Sequence, residues 1–212
     1  MRTLDWIDRD GSREQLAVEP QSYGYARVSP DGLKVAVERW TRGNRDIWIL
    51  DQKRLTQVQL TNGPTEDMLP VWSADGGSLY FTSDRGGKPQ IYQVSASGGG
   101  ASRVTFQGSY NATATVSFDG KKIAMAQGNG NTYRIALLDR SLGSPRWSML
   151  SPGSLDESPS FAPNASMVLY AAREGGRGVL YAVSADARVR QRLVLADGDV
   201  REPAWGPYRQ QR

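Results

Sequence analysis

Carboxylates recur in the chain at places where acid–base chemistry could use them: Glu66-Asp67, Asp156-Glu157 and Glu202. Two carboxyl groups flanking a scissile bond, one acting as acid and the other as nucleophile or base, are what glycoside hydrolysis needs. Each stands a few residues ahead of a recurring position marked by Ser29, Ser73, Ser117, Ala162 and Gly206, so all would lie at one end of a repeated unit. Two other copies hold Tyr23-Gly24 and Asn111-Ala112 at the corresponding places, which leaves no paired geometry beyond chance and argues against an enzyme. The 212 residues also contain no His and no Cys. That removes the commonest general base, the usual zinc ligands, a thiolate nucleophile and every Ser-His-Asp arrangement, so neither a metal nor a cofactor is expected.

Other motifs carry less. Gly98-Gly99-Gly100 and Gly128-Asn-Gly130 lack the lysine and the helix of a phosphate loop. Asn111-Ala-Thr113 and Asn164-Ala-Ser166 match glycosylation acceptors and are read as accidental. The net charge of +4 comes from arginines scattered through turns, with only Arg188-Val-Arg190-Gln-Arg192 clustered. A solvated strand face accounts for that cluster, and nucleic-acid binding is not expected. No apolar run reaches the length of a membrane span, and the N-terminus lacks the apolar segment of a signal peptide, so the chain as written reads as soluble and unexported.

The elements that would position these residues are written as a repeat. Steps between the marked positions are 44, 44, 45 and 44 residues. Ahead of each stands Val28, Trp72, Val116, Phe161 or Trp205, and two residues after it comes a turn residue, Asp31, Asp75, Asp119 or Asn164. The pairs Val35/Val37, Leu79/Phe81, Ile123/Met125 and Val168/Tyr170 have the period-two spacing of one strand face. The residues between them are apolar too, as expected of strands covered on both sides.

Each unit predicts four strands, for example over residues 25–29, 34–38, 46–50 and 57–60. Four-stranded units at this period are the signature of a β-propeller. The expected fold is all-β: a five-bladed propeller of four-stranded antiparallel blades in one domain, residues 1–212. A closing hairpin (1–20) precedes repeats at about 21–64, 65–108, 109–153 and 154–197, and a closing strand (198–208) follows. The hairpin and that strand would form an incomplete fifth blade without its second strand, and the protein would be a monomer or an edge-paired dimer.

Specific motifs also carry a family resemblance. Ser83-Asp-Arg-Gly-Gly-Lys-Pro-Gln-Ile-Tyr92, Leu155-Asp-Glu-Ser-Pro-Ser-Phe-Ala-Pro-Asn164 and Pro203-Ala-Trp-Gly-Pro-Tyr208 resemble the C-terminal propeller of the TolB family, over about residues 84–208. Val28-Ser-Pro-Asp-Gly32 and Asn44-Arg-Asp-Ile-Trp-Ile-Leu-Asp51 are similar to related repeats of other bacterial propellers. The resemblance implies a non-catalytic component of the Tol-Pal system, periplasmic, that binds the peptidoglycan-associated lipoprotein Pal or a peptide inserted into the channel. The TolB family resembles a six-bladed propeller with an upstream α/β domain and a leader, and five blades without either are expected of the chain as written. The departures favour a truncated propeller or an engineered chimera of two fragments, a scaffold without native activity being the alternative function. On that reading the chain as written is cytoplasmic or recombinant.

The strands ahead of the marked positions begin at one rim. Tyr23, Tyr25, Asp67, Met68, Tyr110, Asn111, Asp156, Glu157, Arg201 and Glu202 should therefore surround one channel opening and contact a partner.

Overall fold

Every complete repeat folds as a meander because its turns carry their own hydrogen bonds. In the computed structural model, which describes residues 1–16, 18–41, 43–129, 131–195 and 198–206, Asp31 Oδ1 accepts from the Leu33 N–H (3.0 Å) and from the Ser29 hydroxyl. Asp75 and Asp119 do the same with Gly77 and Ser73, and with Lys121 and Ser117. These hydrogen bonds, from the serine hydroxyl first, hold the three carboxyls below their ordinary pKa.

Eighteen strands and no helix are found among the described residues. A hairpin of β1 (Asp5–Ile7) and β2 (Arg13–Gln15) comes first. Blade 1 holds β3 (Tyr23–Val28), β4 (Lys34–Thr41), β5 (Asn44–Asp51) and β6 (Thr56–Gln59). Blade 2 holds β7 (Asp67–Trp72), β8 (Ser78–Ser83), β9 (Gln90–Ser95) and β10 (Ser102–Arg103). In blade 3 these are β11 (Tyr110–Val116), β12 (Lys122–Gly128), β13 (Tyr133–Asp139) and β14 (Arg146–Met149). In blade 4 they are β15 (Glu157–Phe161), β16 (Met167–Glu174), β17 (Arg177–Ser184) and β18 (Arg190–Leu193). The five sheets, four of four antiparallel strands and one of two, make an all-β propeller.

Core residues follow the period-two pattern. Leu79, Phe81, Ile123, Met125, Val168 and Tyr170 are all fully buried, and the residues between them, Tyr80, Ala124 and Leu169, are buried as well. Both faces of each second strand are covered because the first strand of the next blade lies across the preceding sheet. Thus β7 contacts β3, β4 and β5, while β15 contacts β11, β12 and β13. Trp72 contributes to one such seam directly, its indole N–H donating to the Arg27 carbonyl at 2.9 Å.

Each first strand carries a bulge near its start, shown by register shifts at Tyr23/Ala26, Met68/Val71, Ala112/Thr115 and Glu157/Ser160. Leu69, Thr113 and Ser158 adopt φ of 57°, 54° and 55° there, and Glu202 repeats the conformation at 47°. A bulge of this kind bends the strand and re-aims its side chains.

The incomplete fifth unit is split between the two ends. Residues 198–206 dock on blade 4, where the Val200 N–H donates to the Gly178 carbonyl (3.1 Å) and the Trp205 N–H to Ser160 Oγ (3.1 Å). The hairpin instead covers blade 1, with Leu4, Trp6, Leu16 and Val18 against Tyr23, Val35, Val37 and Leu50. No ladder joins 202–206 to the hairpin among the described residues. The reason is geometric: in repeat register the hairpin matches the third and fourth strands of a blade, about 10 Å outward from a first strand at roughly 4.8 Å per strand. The link that crosses is side chain to side chain, Tyr25 OH donating to Glu202 Oε1 at 2.8 Å. Positions 207 and 208 of the expected closing strand lie outside the described residues.

Candidate functional site

The bulges decide which residues at the strand starts reach the surface. Tyr23, Asp67, Asn111 and Asp156 occupy one repeat position, six residues before the marked one, and all are buried, Asp67 and Asn111 at 0% exposure. They were expected on the rim, and the structure places them inside the seams. The bulge after each of them breaks simple alternation, so that Tyr23 is buried while Tyr25, two residues on, is exposed.

What Asn111 and Asp156 do there is visible in a relay that crosses the second and third seams. In blades 1 to 3 an isoleucine N–H of the third strand donates to a hydroxyl beyond the fourth strand: Ile47 to Thr61 (3.0 Å), Ile91 to Thr105 (3.0 Å) and Ile135 to Ser151 (2.8 Å). Thr105 passes on to Gln90 Oε1 (2.7 Å), which also accepts from Asn111 Nδ2 (2.8 Å), and the same amide donates to the Gln107 carbonyl (2.7 Å). Asn111 thereby ties blade 3 to blade 2. Asp156 fills that role at the next seam, hydrogen-bonded to Ser151 and the Gly153 backbone; burial, the larger influence, pushes its carboxyl above the ordinary range. At the first seam, Thr61 meets Asp46, whose carboxyl is likewise raised by burial and by the neighbouring Asp67. Arg85 answers Asp67 with a 2.8 Å ion pair. Asp46, Asp67 and Asp156 each keep one buried oxygen without a partner.

The other expected residues do reach the surface at this end. Tyr25, Glu157, Arg201 and Glu202 are exposed, while Met68 and Tyr110 are half-buried. Tyr110 is held edge-on against Tyr133, with ring centroids 5.3 Å apart. Arg201 is steadied by Asp199 at 3.1 Å, and the Arg27 guanidinium lies 5.6 Å from the centre of the Tyr25 ring. The resulting surface is mixed: aromatic and thioether groups, a cation and two carboxylates. Among the described residues no group of three metal-ligating side chains converges. No helix is long and apolar enough to cross a membrane, a statement that leaves membrane-spanning strands aside.

Sequence reasoning passed over Glu38. It is buried on β4, and its Oε1 accepts from the Leu69 N–H at 2.6 Å, so it satisfies the bulge of the next blade. Thr82 does the same for Thr113 (3.3 Å), whereas Ala126 and Ala171 stand at this position in blades 3 and 4. An acid directly after the apolar run Val35-Ala-Val37 was the available signal. Arg45 and Glu66 form a second link between blades 1 and 2, at 2.6 Å.

Comparison with known proteins agrees with this architecture. The TolB beta propeller domain matches residues 5–209. Over 117 residues, 55% of this chain and 27% of the relative, the sequence is 90% identical to the Tol-Pal system protein TolB of Xanthomonas campestris pv. campestris strain B100. The Xanthomonas oryzae pv. oryzae strain PXO99A protein of the same name is 90% identical over 116 residues, 55% of this chain and 26% of that protein. The crystal structure of TolB from Acinetobacter baumannii superposes with a TM-score of 0.82 at 41% identity, covering 94% of this chain and 50% of that one. A puromycin-hydrolyzing peptidase of Mycobacterium tuberculosis, covering 87% of this chain and 30% of its own, shares the fold alone, with a TM-score of 0.67 at 18% identity. The matched stretch thus spans about a quarter of the length of the curated relatives. The match over residues 5–209 shows that the chain belongs to the TolB β-propeller family.

Proposed function

We propose that this propeller is a non-catalytic docking module that receives a loop or peptide of a protein partner at the rim formed by Tyr25, Met68, Tyr110, Glu157, Arg201 and Glu202. The observation that supports it best is the division of labour at the strand starts. One set of residues is buried at the seams while the neighbouring set faces the same end, with Tyr25, Glu157, Arg201 and Glu202 exposed and Met68 and Tyr110 half-buried. Tyr and Arg on a rigid scaffold are the side chains that protein interfaces favour. The relatives carry the name Tol-Pal system protein TolB, so the partner to test is Pal, in the periplasm.

Isothermal calorimetry with the soluble part of Pal decides the matter. Heat with a micromolar dissociation constant, reduced by Arg201→Ala and Glu202→Ala, is the expected outcome. No heat at high micromolar Pal would overturn it and favour a propeller without native binding activity.

A further inference from the structure

We infer that a cavity at the head of blade 1, apart from the rim residues named above, is a binding site for an alkylammonium group such as a lysine side chain. The cavity has a volume of about 410 Å³ and is lined by Arg2, Tyr23, Gly24, Glu38, Trp40 and Arg45 among others.

Its chemistry is set by the second oxygen of Glu38. The side chain is only 4% exposed, and Oε1 is already engaged by the Leu69 N–H at 2.6 Å. Oε2 receives no hydrogen bond from the described residues. It has room because residue 24 is glycine, since a Cβ built there would sit 2.5 Å from Oε2. The equivalents of Gly24 in the next copies are Met68, Ala112 and Glu157, and those of Glu38 are Thr82, Ala126 and Ala171, so the combination exists in blade 1 alone. There Oε2 opens onto the cavity instead of being sealed inside, and a carboxylate oxygen so placed, with no donor from the protein, is available to a cation.

Neither arginine of the cavity donates to Oε2, although the Arg45 charge acts on Glu38 through space. Arg45 is paired with Glu66 at 2.6 Å and lies 5.6 Å from the centre of the Trp40 ring, and Arg2 donates to the Tyr23 carbonyl at 3.0 Å. Trp40 is itself half exposed, offering aromatic surface beside the carboxylate, a combination that favours organic cations. A single available oxygen selects among them. Guanidinium recognition by carboxylate uses two parallel bonds, whereas ammonium is a compact charge that one oxygen can hold. A hard metal ion needs six or more oxygen ligands, which one free carboxylate oxygen does not approach.

The test titrates the full chain with Nα-acetyl-lysine methylamide, following the Leu69 amide and Trp40 indole resonances, alongside the norleucine and arginine analogues. Saturable shifts with the lysine probe, at least about tenfold weaker with the other two, are expected, and Glu38→Gln, which keeps an acceptor for Leu69, should weaken the lysine probe by about tenfold or more. Equal binding of norleucine or arginine, or undiminished binding by Glu38→Gln, would overturn the site. Should that variant lose the native amide pattern of blades 2 to 4, Trp40→Ala decides, with unchanged affinity counting against the proposal. Neither outcome depends on Pal, so failure here and failure at the rim are told apart.

Discussion

Asn111 and Val200 occupy the same place in the repeat and make the same bond, each donating its N–H to a carbonyl of the preceding blade, Pro89 at 2.9 Å and Gly178 at 3.1 Å. Asn111 lies beside a full ladder of four strands; Val200 belongs to a segment with no ladder among the described residues. Docking between blades is therefore separable from pairing within a blade. A first strand seats itself on the sheet before it through its own backbone and bulge, and the remaining strands add the buried apolar layer. Blade 2 contains that layer and the fifth unit does not.

The comparison breaks most sharply at Phe81. This fully buried ring of β8 sits among Ala36, Ile47, Trp72 and Leu79, and Phe81→Ala should cost about 3–5 kcal/mol in chemical denaturation. A loss under about 0.5 kcal/mol, the range of surface substitutions, would show that the second strands do not carry the core. Next comes Asn111→Ala, which removes the side-chain hydrogen bonds to Gln90, Gln107 and Gln127, the first of them buried, and leaves Gln90 short of a donor. About 1–3 kcal/mol is expected. If thermal and chemical unfolding do not move, the relay through Thr105 and Gln90 is not what joins blades 2 and 3.

Asp156→Asn sharpens the contrast between neighbouring seams, since Asn111 is the neutral occupant of the equivalent position. Burial raises the folded pKa of Asp156 above its ordinary 3.8, so the native state keeps a proton that the unfolded chain has released. Its contribution is complete below the unfolded pKa and is lost as pH rises through the folded one. Melting temperature should accordingly fall less steeply with rising pH in Asp156→Asn than in the parent, where Glu38 and Asp46 add slopes of the same sign. Identical slopes would assign the proton elsewhere. The smallest effect belongs to Tyr25→Phe. Removing an exposed hydrogen bond to Glu202 should cost no more than about 0.5–1 kcal/mol. Amide exchange in 198–206 should nonetheless quicken while blades 2 to 4 keep their protection. Unchanged exchange there would mean that Tyr25 does not hold the ends together.

The rim was half legible from sequence. Its end of the molecule follows from where the strands begin, and Tyr25, Met68, Tyr110, Glu157, Arg201 and Glu202 do reach the surface there. Tyr23, Asp67, Asn111 and Asp156 were indistinguishable from them in type, being polar or aromatic and adjacent in sequence. The bulges at Leu69, Thr113 and Ser158 interrupt period two at the place where inside and outside must be told apart. Glu38 was hidden for the opposite reason, because it stands in a strand otherwise read as core.

By itself the sequence determined the repeat, the strand faces and the turns. These depend on interactions within a few residues, such as Asp75 with Ser73 and Gly77, and on apolar spacing along one strand. Only the tertiary structure decided which polar side chains serve the seams, where the hairpin settles, and that Gly24 leaves Glu38 an open oxygen. Each of those depends on groups from different strands or different blades meeting, at separations of 14 residues for Gly24 and Glu38 within blade 1 and 177 for Tyr25 and Glu202, and no local pattern encodes such meetings.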